Sequence, residues 1–211
     1  MLLQHVRQFI WFYLPFLLWM IFGGLAFLLF SQETLFYVVN SRHSLLADRI
    51  MTVLSAYGRG DCISIVLCSL ILVPALRTKF YILSAALFGI LTSVPIYYLK
   101  LIFAHPRPIS VFGLDKVHTV TWLENLHNNS FPSGHTLGAF GFFLFLCFWI
   151  PKKQQIWGAF FFCLALGVGV SRLYLGQHFF KDIYFGSIFG VVISTGIYLV
   201  CKHFIASKHY D

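Results

Sequence analysis

The feature that most constrains this chain is a run from Phe9 to Phe30 that contains no charged residue. The hydrocarbon core of a bilayer is about 30 Å thick and takes about 20 apolar helical residues to cross, so the run is long enough to span. It begins after Arg7, is too long for the apolar core of a signal peptide and lacks a small-x-small cleavage site, which predicts an uncleaved first helix. Further apolar windows fall near Cys62 to Leu76, Phe80 to Phe103, Gly134 to Ile150, Ile156 to Leu175 and Ile183 to Phe204. Together they predict an all-α bundle of six transmembrane helices. Pro74 and Pro95 interrupt the second and third windows, which is tolerable where neighbouring helices satisfy the freed carbonyls. Composition agrees: 59% of residues are hydrophobic and 10% charged, more apolar surface than a soluble fold of this size can hide.

Ser31 to Gly60 reads differently. Leu46, Ile50, Val53 and Leu54 recur at helical spacing with Arg42, Asp48 and Arg49 between them, the pattern of an interfacial helix between helices 1 and 2. No repeat or linker divides the chain, so residues 1–211 are expected to form a single integral-membrane domain. Cys62, Cys68, Cys147, Cys163 and Cys201 all lie in apolar runs without metal-ligand spacing and read as small buried hydrophobes.

Six spans would put both termini on one side. Arg7, Arg77, Lys79, Lys152, Lys153, Lys202 and Lys208 then share that side within short segments, whereas Arg42, Arg49, Arg59, Lys116 and Lys181 spread over longer loops on the other. Basic density in short loops marks the cytoplasmic face. The expected location is a bacterial inner membrane with cytoplasmic termini. Because the basic residues form no soluble face, the net charge of +8 does not indicate a nucleic-acid partner.

Ionisable residues at the edges of spans are costly and are functional candidates by default. Lys100 closes the third window and is followed by Arg107-Pro108. Pro132-Ser133-Gly134-His135 opens the fourth, Ser171-Arg172 ends the fifth, and His178 and Asp182 precede the sixth. By the expected topology all these groups emerge on the outer face. Lys100, Arg107 and Arg172 lack enough nearby acids to pair with, which implies an anionic ligand, and guanidinium forks match phosphate oxygens. Ser133 and Gly134 add a helix N-terminus, also favourable to an anion.

His178 and Asp182 are spaced i and i+4, so the carboxylate can reach the imidazole, fix its tautomer and make the other ring nitrogen a better nucleophile. His135 is left as general acid toward the departing oxygen. A metal site from His135, His178 and Asp182 is chemically possible, but three adjacent cations would repel a divalent ion, so neither metal nor cofactor is expected. His105, His118 and His127 have no spaced partner and read as surface residues; Asn128-Asn129-Ser130 fits a glycosylation pattern by chance.

Taken together, Lys100-x6-Arg107-Pro108, Pro132-Ser133-Gly134-His135 and Ser171-Arg172-x5-His178-x3-Asp182 resemble the three ordered signature motifs of the type 2 phosphatidic acid phosphatase (PAP2) superfamily. The resemblance implies a PAP2/haloperoxidase-like core and a metal-independent phosphatase working through a phosphohistidine. It further implies that His178 attacks phosphorus, Asp182 orients it, and His135 protonates the leaving group and later activates water. Lys100, Arg107, Ser133, Gly134 and Arg172 would hold the phosphoryl oxygens.

The superfamily also includes soluble vanadium haloperoxidases, an activity that membrane spans argue against. The expected substrate is a lipid phosphate drawn from the bilayer: phosphatidate, phosphatidylglycerol phosphate, undecaprenyl diphosphate or a lipid A phosphate. Two alternatives use the same cations. One is a lipid phosphotransferase, which release of inorganic phosphate without an acceptor would exclude. The other is an anion transporter, which would more often show inverted repeats and midplane charges. Oligomeric state is not legible in the sequence.

Overall fold

The apolar windows fold as helices, and no strand forms among the residues described by the computed structural model, which are 2–207, with side chains from 5 to 204. In chain order the helices are α1 (Leu2–Gln8), α2 (Ile10–Leu29), α3 (Gln32–Asn40), α4 (Leu45–Ala56) and α5 (Gly60–Leu70). They continue with α6 (Lys79–Phe103), α7 (Pro108–Phe112), α8 (Gly134–Cys147), α9 (Trp157–Tyr174) and α10 (Phe180–Ser207). Short 3-10 turns at Pro74–Leu76 and Lys152–Gln154 precede α6 and α9.

The expected count of six spans is not met. Four segments are long and apolar enough to cross a membrane, Ile10–Leu29, Lys79–Phe112, Trp157–Tyr174 and Phe180–Phe204, and there are up to five if α4 and α5, bent by 55° at their junction, count as one. The second expected window stops short because α5 ends at Leu70, so it has only 11 residues. The fourth fails on length: the 14 residues of α8 rise only about 21 Å at about 1.5 Å per residue.

The apolarity of α8 has a different cause from that of a lipid-facing span. Every residue from Thr136 to Phe145 is buried, because α8 is wrapped by α9 and α10 and flanked by α5 and α6. It is the core of the bundle. Phe140, Leu144 and Phe145 pack there against Phe12, Phe88 and Phe162.

The interfacial helix also takes another form. α4 is one arm of the bent pair and packs along α9, leaving Leu46, Ile50 and Val53 on its exposed side. Ser31 and Ser44 cap α3 and α4 by accepting from Thr34 N and Ala47 N, which fixes both starts. Of the cysteines, Cys147 and Cys201 are buried as expected, but Cys68 and Cys163 are exposed and Cys62 is half-buried.

Candidate active site

Five helix ends meet at one end of the bundle: the close of α6 and α9 and the starts of α7, α8 and α10. Local chemistry places each. Ala104 adopts a left-handed conformation at the end of α6, with φ 42°. Arg107 is the N-cap of α7, where Pro108 in the first turn removes a donor that would have no partner. Ser133 caps α8, accepting from Thr136 N and, at 2.9 Å, from Thr136 Oγ1. After α9 the chain reverses at Gly176, φ 68°, where a Cβ would meet Val117 Cγ1 at 2.7 Å. The reversal lets Gln177 N and His178 N both donate to Arg172 O.

His178 and Asp182 are both buried, with Nδ1 of the histidine 3.4 Å from Oδ2 of the aspartate. That oxygen also accepts from Ser130 Oγ at 2.5 Å and Phe179 N at 2.9 Å. Ser133 N donates to Asp182 O at 3.1 Å, joining the α8 cap to α10. Since Nδ1 faces the carboxylate, Nε2 is the nitrogen left for a ligand. Burial, then the charges of Arg107, Arg172 and Lys100, hold the His178 imidazole well below its ordinary value of 6.5.

Among the described residues, none of Lys100, Arg107 and Arg172 is ion-paired. Arg107 donates to Asn128 O, Gln177 O and Gln177 Oε1 at 2.9–3.1 Å. Arg172 donates to Ser55 Oγ at 2.6 Å, while its Nε is buried without a partner. Guanidinium groups held by neutral oxygens keep their charge uncompensated, and burying such charge is costly unless an anion meets it.

His135, in the first turn of α8, lies where two cavities adjoin. One, about 430 Å³, runs between α5, α6 and α8 past Lys100, Gly134 and apolar side chains such as Ile63, Phe88 and Ile96. The other, about 300 Å³, is bordered by Ser55, Arg59, Glu124, Arg172 and Gln177. The α4–α5 bend shapes both. Gly58 lies so close to α8 that a Cβ there would stand 2.5 Å from His135 O and 2.6 Å from Val168 Cγ1.

All eight residues expected at the site therefore fall at this end of the bundle. Ser133 differs in detail, because its backbone N–H is already committed to Asp182 O. Sequence reasoning missed Ser130, Ser55 and Gln177. Ser130 sits in the tripeptide dismissed as a chance glycosylation match, immediately before Phe131-Pro132, and that adjacency was the available signal. His118 is also not a plain surface residue: its Nε2 is 2.8 Å from Asp48 Oδ1, which accepts from Tyr174 Oη at 2.6 Å. This link ties α4 to the end of α9, close to Arg172. Among the described residues, no three His, Cys, Asp or Glu side chains are grouped so as to hold a metal ion.

Residues 77–205 match the PAP2 superfamily, a stretch that covers more than half the chain and takes in every residue of the three motifs. The chain belongs to the PAP2 superfamily. It is similar to the undecaprenyl-diphosphatase BcrC of Bacillus subtilis, with 27% identity over 72% of this chain and 74% of that protein. Its fold is similar to that of Aquifex aeolicus LpxE, at a TM-score of 0.64 and 29% identity, over 80% of this chain and 95% of the other. A Bacillus subtilis PAP2-type phosphatidylglycerolphosphate phosphatase shares the fold at a TM-score of 0.66 and 20% identity, over 91% and 94%. This PAP2 protein is thus of the membrane phosphatase branch.

Proposed function

We propose that this PAP2-type membrane lipid phosphatase, with residues 1–211 acting as one unit, hydrolyses a phosphomonoester or diphosphate of a lipid through a phosphohistidine. The observation that carries the reading is the buried His178–Asp182 pair, 3.4 Å apart, beside three cations that form no ion pair among the described residues. His178 Nε2 attacks phosphorus as the bond to the leaving oxygen breaks, and His135 gives that oxygen a proton. Lys100, Arg107 and Arg172 meet the charge spreading over the phosphoryl oxygens, with the first turn of α8 at Ser133 and Gly134 beside them. Water, deprotonated by His135, then displaces His178 and releases inorganic phosphate. Every step is supplied by side chains, with neither metal nor cofactor.

The cavity between α5, α6 and α8 offers the lipid's apolar part a path to His135. Phosphatidate, phosphatidylglycerol phosphate, undecaprenyl diphosphate and lipid A phosphates are the substrates to compare, and the similarity to an undecaprenyl-diphosphatase puts the diphosphate first. The cavity on the other side of His135, where Ser55, Glu124 and Gln177 supply hydrogen-bonding groups, would also admit an acceptor alcohol, which favours phosphotransfer as the second reading.

The site is proposed to face the periplasm or exterior. Arg77, Lys79, Lys152 and Lys153 lie at the opposite ends of α6, α8 and α9, in short connections where a basic bias marks the cytoplasm. The N-terminal end of α2 and the C-terminal end of α10 are there too, since Arg7 and Lys202 border one cavity with Lys152; Lys208 lies outside the described residues.

Phosphate release by the purified protein from the four lipids, with EDTA present and no acceptor, tests the reaction. An acid-labile phosphoenzyme lost in His178→Ala is expected. Activity only after Mg²⁺ or Zn²⁺ is added, or only with an acceptor, would overturn the metal-free hydrolase. Sidedness is read by an impermeant thiol probe in a cysteine-free background: Cys at Lys116 should label in intact cells and Cys at Gln154 should not.

A further inference from the structure

At the end of the bundle opposite the candidate active site, Arg7, Lys152 and Lys202 come from remote parts of the chain to border one cavity of about 540 Å³, with Trp11 and the buried Gln155 beside them. Among the described residues, no carboxylate lines this cavity or pairs with any of the three cations. Basic anchors that only snorkel to the interface are free to spread around a bundle; here three positive charges share one concavity. Lys202 also has an aromatic neighbour, its Nζ 5.6 Å from the Tyr198 ring centroid.

A second cavity, about 260 Å³, adjoins along α2 and shares Ile10 with the first. It is lined by Val6, Leu14, Leu17, Met20 and the rings of Tyr13 and Phe16. The one hydroxyl there is already engaged, since Tyr13 Oη lies 2.8 Å from His5 Nε2 and 2.6 Å from Thr195 Oγ1. A basic concavity that meets an apolar groove at Ile10 has the polarity of a phospholipid: phosphate at one end, acyl chain at the other. A free anion would use only half of it. The exposed Trp11 indole, which borders the basic half, suits the headgroup level.

We propose that this paired cavity is a binding site for an anionic glycerophospholipid, separate from the catalytic centre, with Arg7, Lys152 and Lys202 on its phosphate and the α2 groove on one chain. The site does not depend on the catalytic reading. It is tested with phosphatidylglycerol, whose phosphodiester is not the group the active site is proposed to cleave, against phosphatidylcholine and inorganic phosphate. Native mass spectrometry and lipid titration of the full-length protein in detergent give the readout.

Wild type should retain one phosphatidylglycerol in preference to phosphatidylcholine, and millimolar inorganic phosphate should not displace it. The combined variant Arg7→Gln, Lys152→Gln, Lys202→Gln should bind it roughly 100-fold more weakly, at about fivefold per charge removed. The combined Arg7→Lys, Lys152→Arg, Lys202→Arg variant should keep the lipid. Should the triple glutamine variant fail to fold, single Lys152→Glu on its exposed turn makes the same test. Unchanged affinity in the charge-removed proteins, equal retention of phosphatidylcholine, or displacement by inorganic phosphate would each overturn the proposal.

Discussion

The two ends of the helix bundle carry their cations in opposite ways. At one end Arg107 and Arg172 are only 4% and 5% exposed and are clamped by carbonyl, amide and hydroxyl oxygens; at the other, Arg7, Lys152 and Lys202 stand exposed around an open cavity. A clamped guanidinium is positioned before any ligand arrives, which is the condition for stabilising charge as it develops. Exposed cations on long side chains hold an anion without positioning it. The difference separates an end built for reaction from an end built for attachment.

The comparison breaks most sharply at the histidines. His178→Ala should lower phosphate release by roughly 10⁴-fold or more, as expected for a lost nucleophile, and His135→Ala by about 10²–10⁴-fold, with a cooperative thermal unfolding transition showing that each is folded. Near-normal turnover in either would remove that residue from its role. Next, Arg107→Ala and Arg172→Ala should cost about 10²–10³-fold in kcat and weaken vanadate inhibition in parallel. Arg77→Gln and Lys153→Gln, at the other end, should stay within about twofold, as surface changes do. A variant of Arg107 or Arg172 that lost activity but kept its vanadate affinity would place that residue outside the phosphate shell.

Asp182→Asn and Ser130→Ala probe the orientation of His178. Asp182→Asn should retain more activity than His178→Ala because the nucleophile survives. Ser130→Ala removes one hydrogen bond to a carboxylate, worth about 1.5–3 kcal/mol, and so should cost about 10- to 100-fold at most. Loss in Asp182→Asn equal to that in His178→Ala would leave the carboxylate without an orienting part.

The charged blocks were legible in the sequence because a charge at the edge of an apolar window has no cheap explanation. Ser130, Ser55 and Gln177 were not, because a hydroxyl or amide costs little wherever it lies and its partner is set only by folding. The span count went wrong for a related reason. α2 and α8 are alike in lacking charge, yet only Phe12 and Gly23 of α2 are buried while nearly all of α8 is. Hydropathy reports that a helix avoids water, not whether lipid or protein surrounds it. The α4–α5 bend was hidden too, since Leu46, Ile50 and Val53 face outward alike on a surface helix and on one arm of a bent pair.

That bend supplies the next test. Gly58→Ala places a methyl where His135 O and Val168 Cγ1 already stand, and such overpacking costs about 1–3 kcal/mol. Lower thermal stability and impaired turnover are expected together, because the shifted atom belongs to His135. Gly60→Ala is the control, since no atom lies within 4 Å of a Cβ built there. Equal behaviour of the two variants would mean that the bend does not bear on the site.

The smallest expected effect is a pH dependence of stability, and it too sets the two ends against each other. Each end buries a histidine in its neutral form: His178 is held well below 6.5 by burial and by Arg107, Arg172 and Lys100, and His5 is pushed down to about 4 by burial and Lys202. Unfolding lets both take up a proton near 6.5, so below that pH the unfolded state binds more protons and stability falls as pH falls. For His178 the loss approaches about 1.4 kcal/mol per pH unit until its folded value is reached. Thermal unfolding between pH 7.5 and 5 should therefore steepen below 6.5, and His178→Asn and His5→Asn should each flatten part of the slope. Vanadate sharpens the contrast. Its negative charge beside the clamped arginines raises the affinity of His178 for a proton, so it should flatten the His178 share while leaving the His5 share intact. A slope untouched by vanadate would mean that the buried cations do not set the charge state of His178.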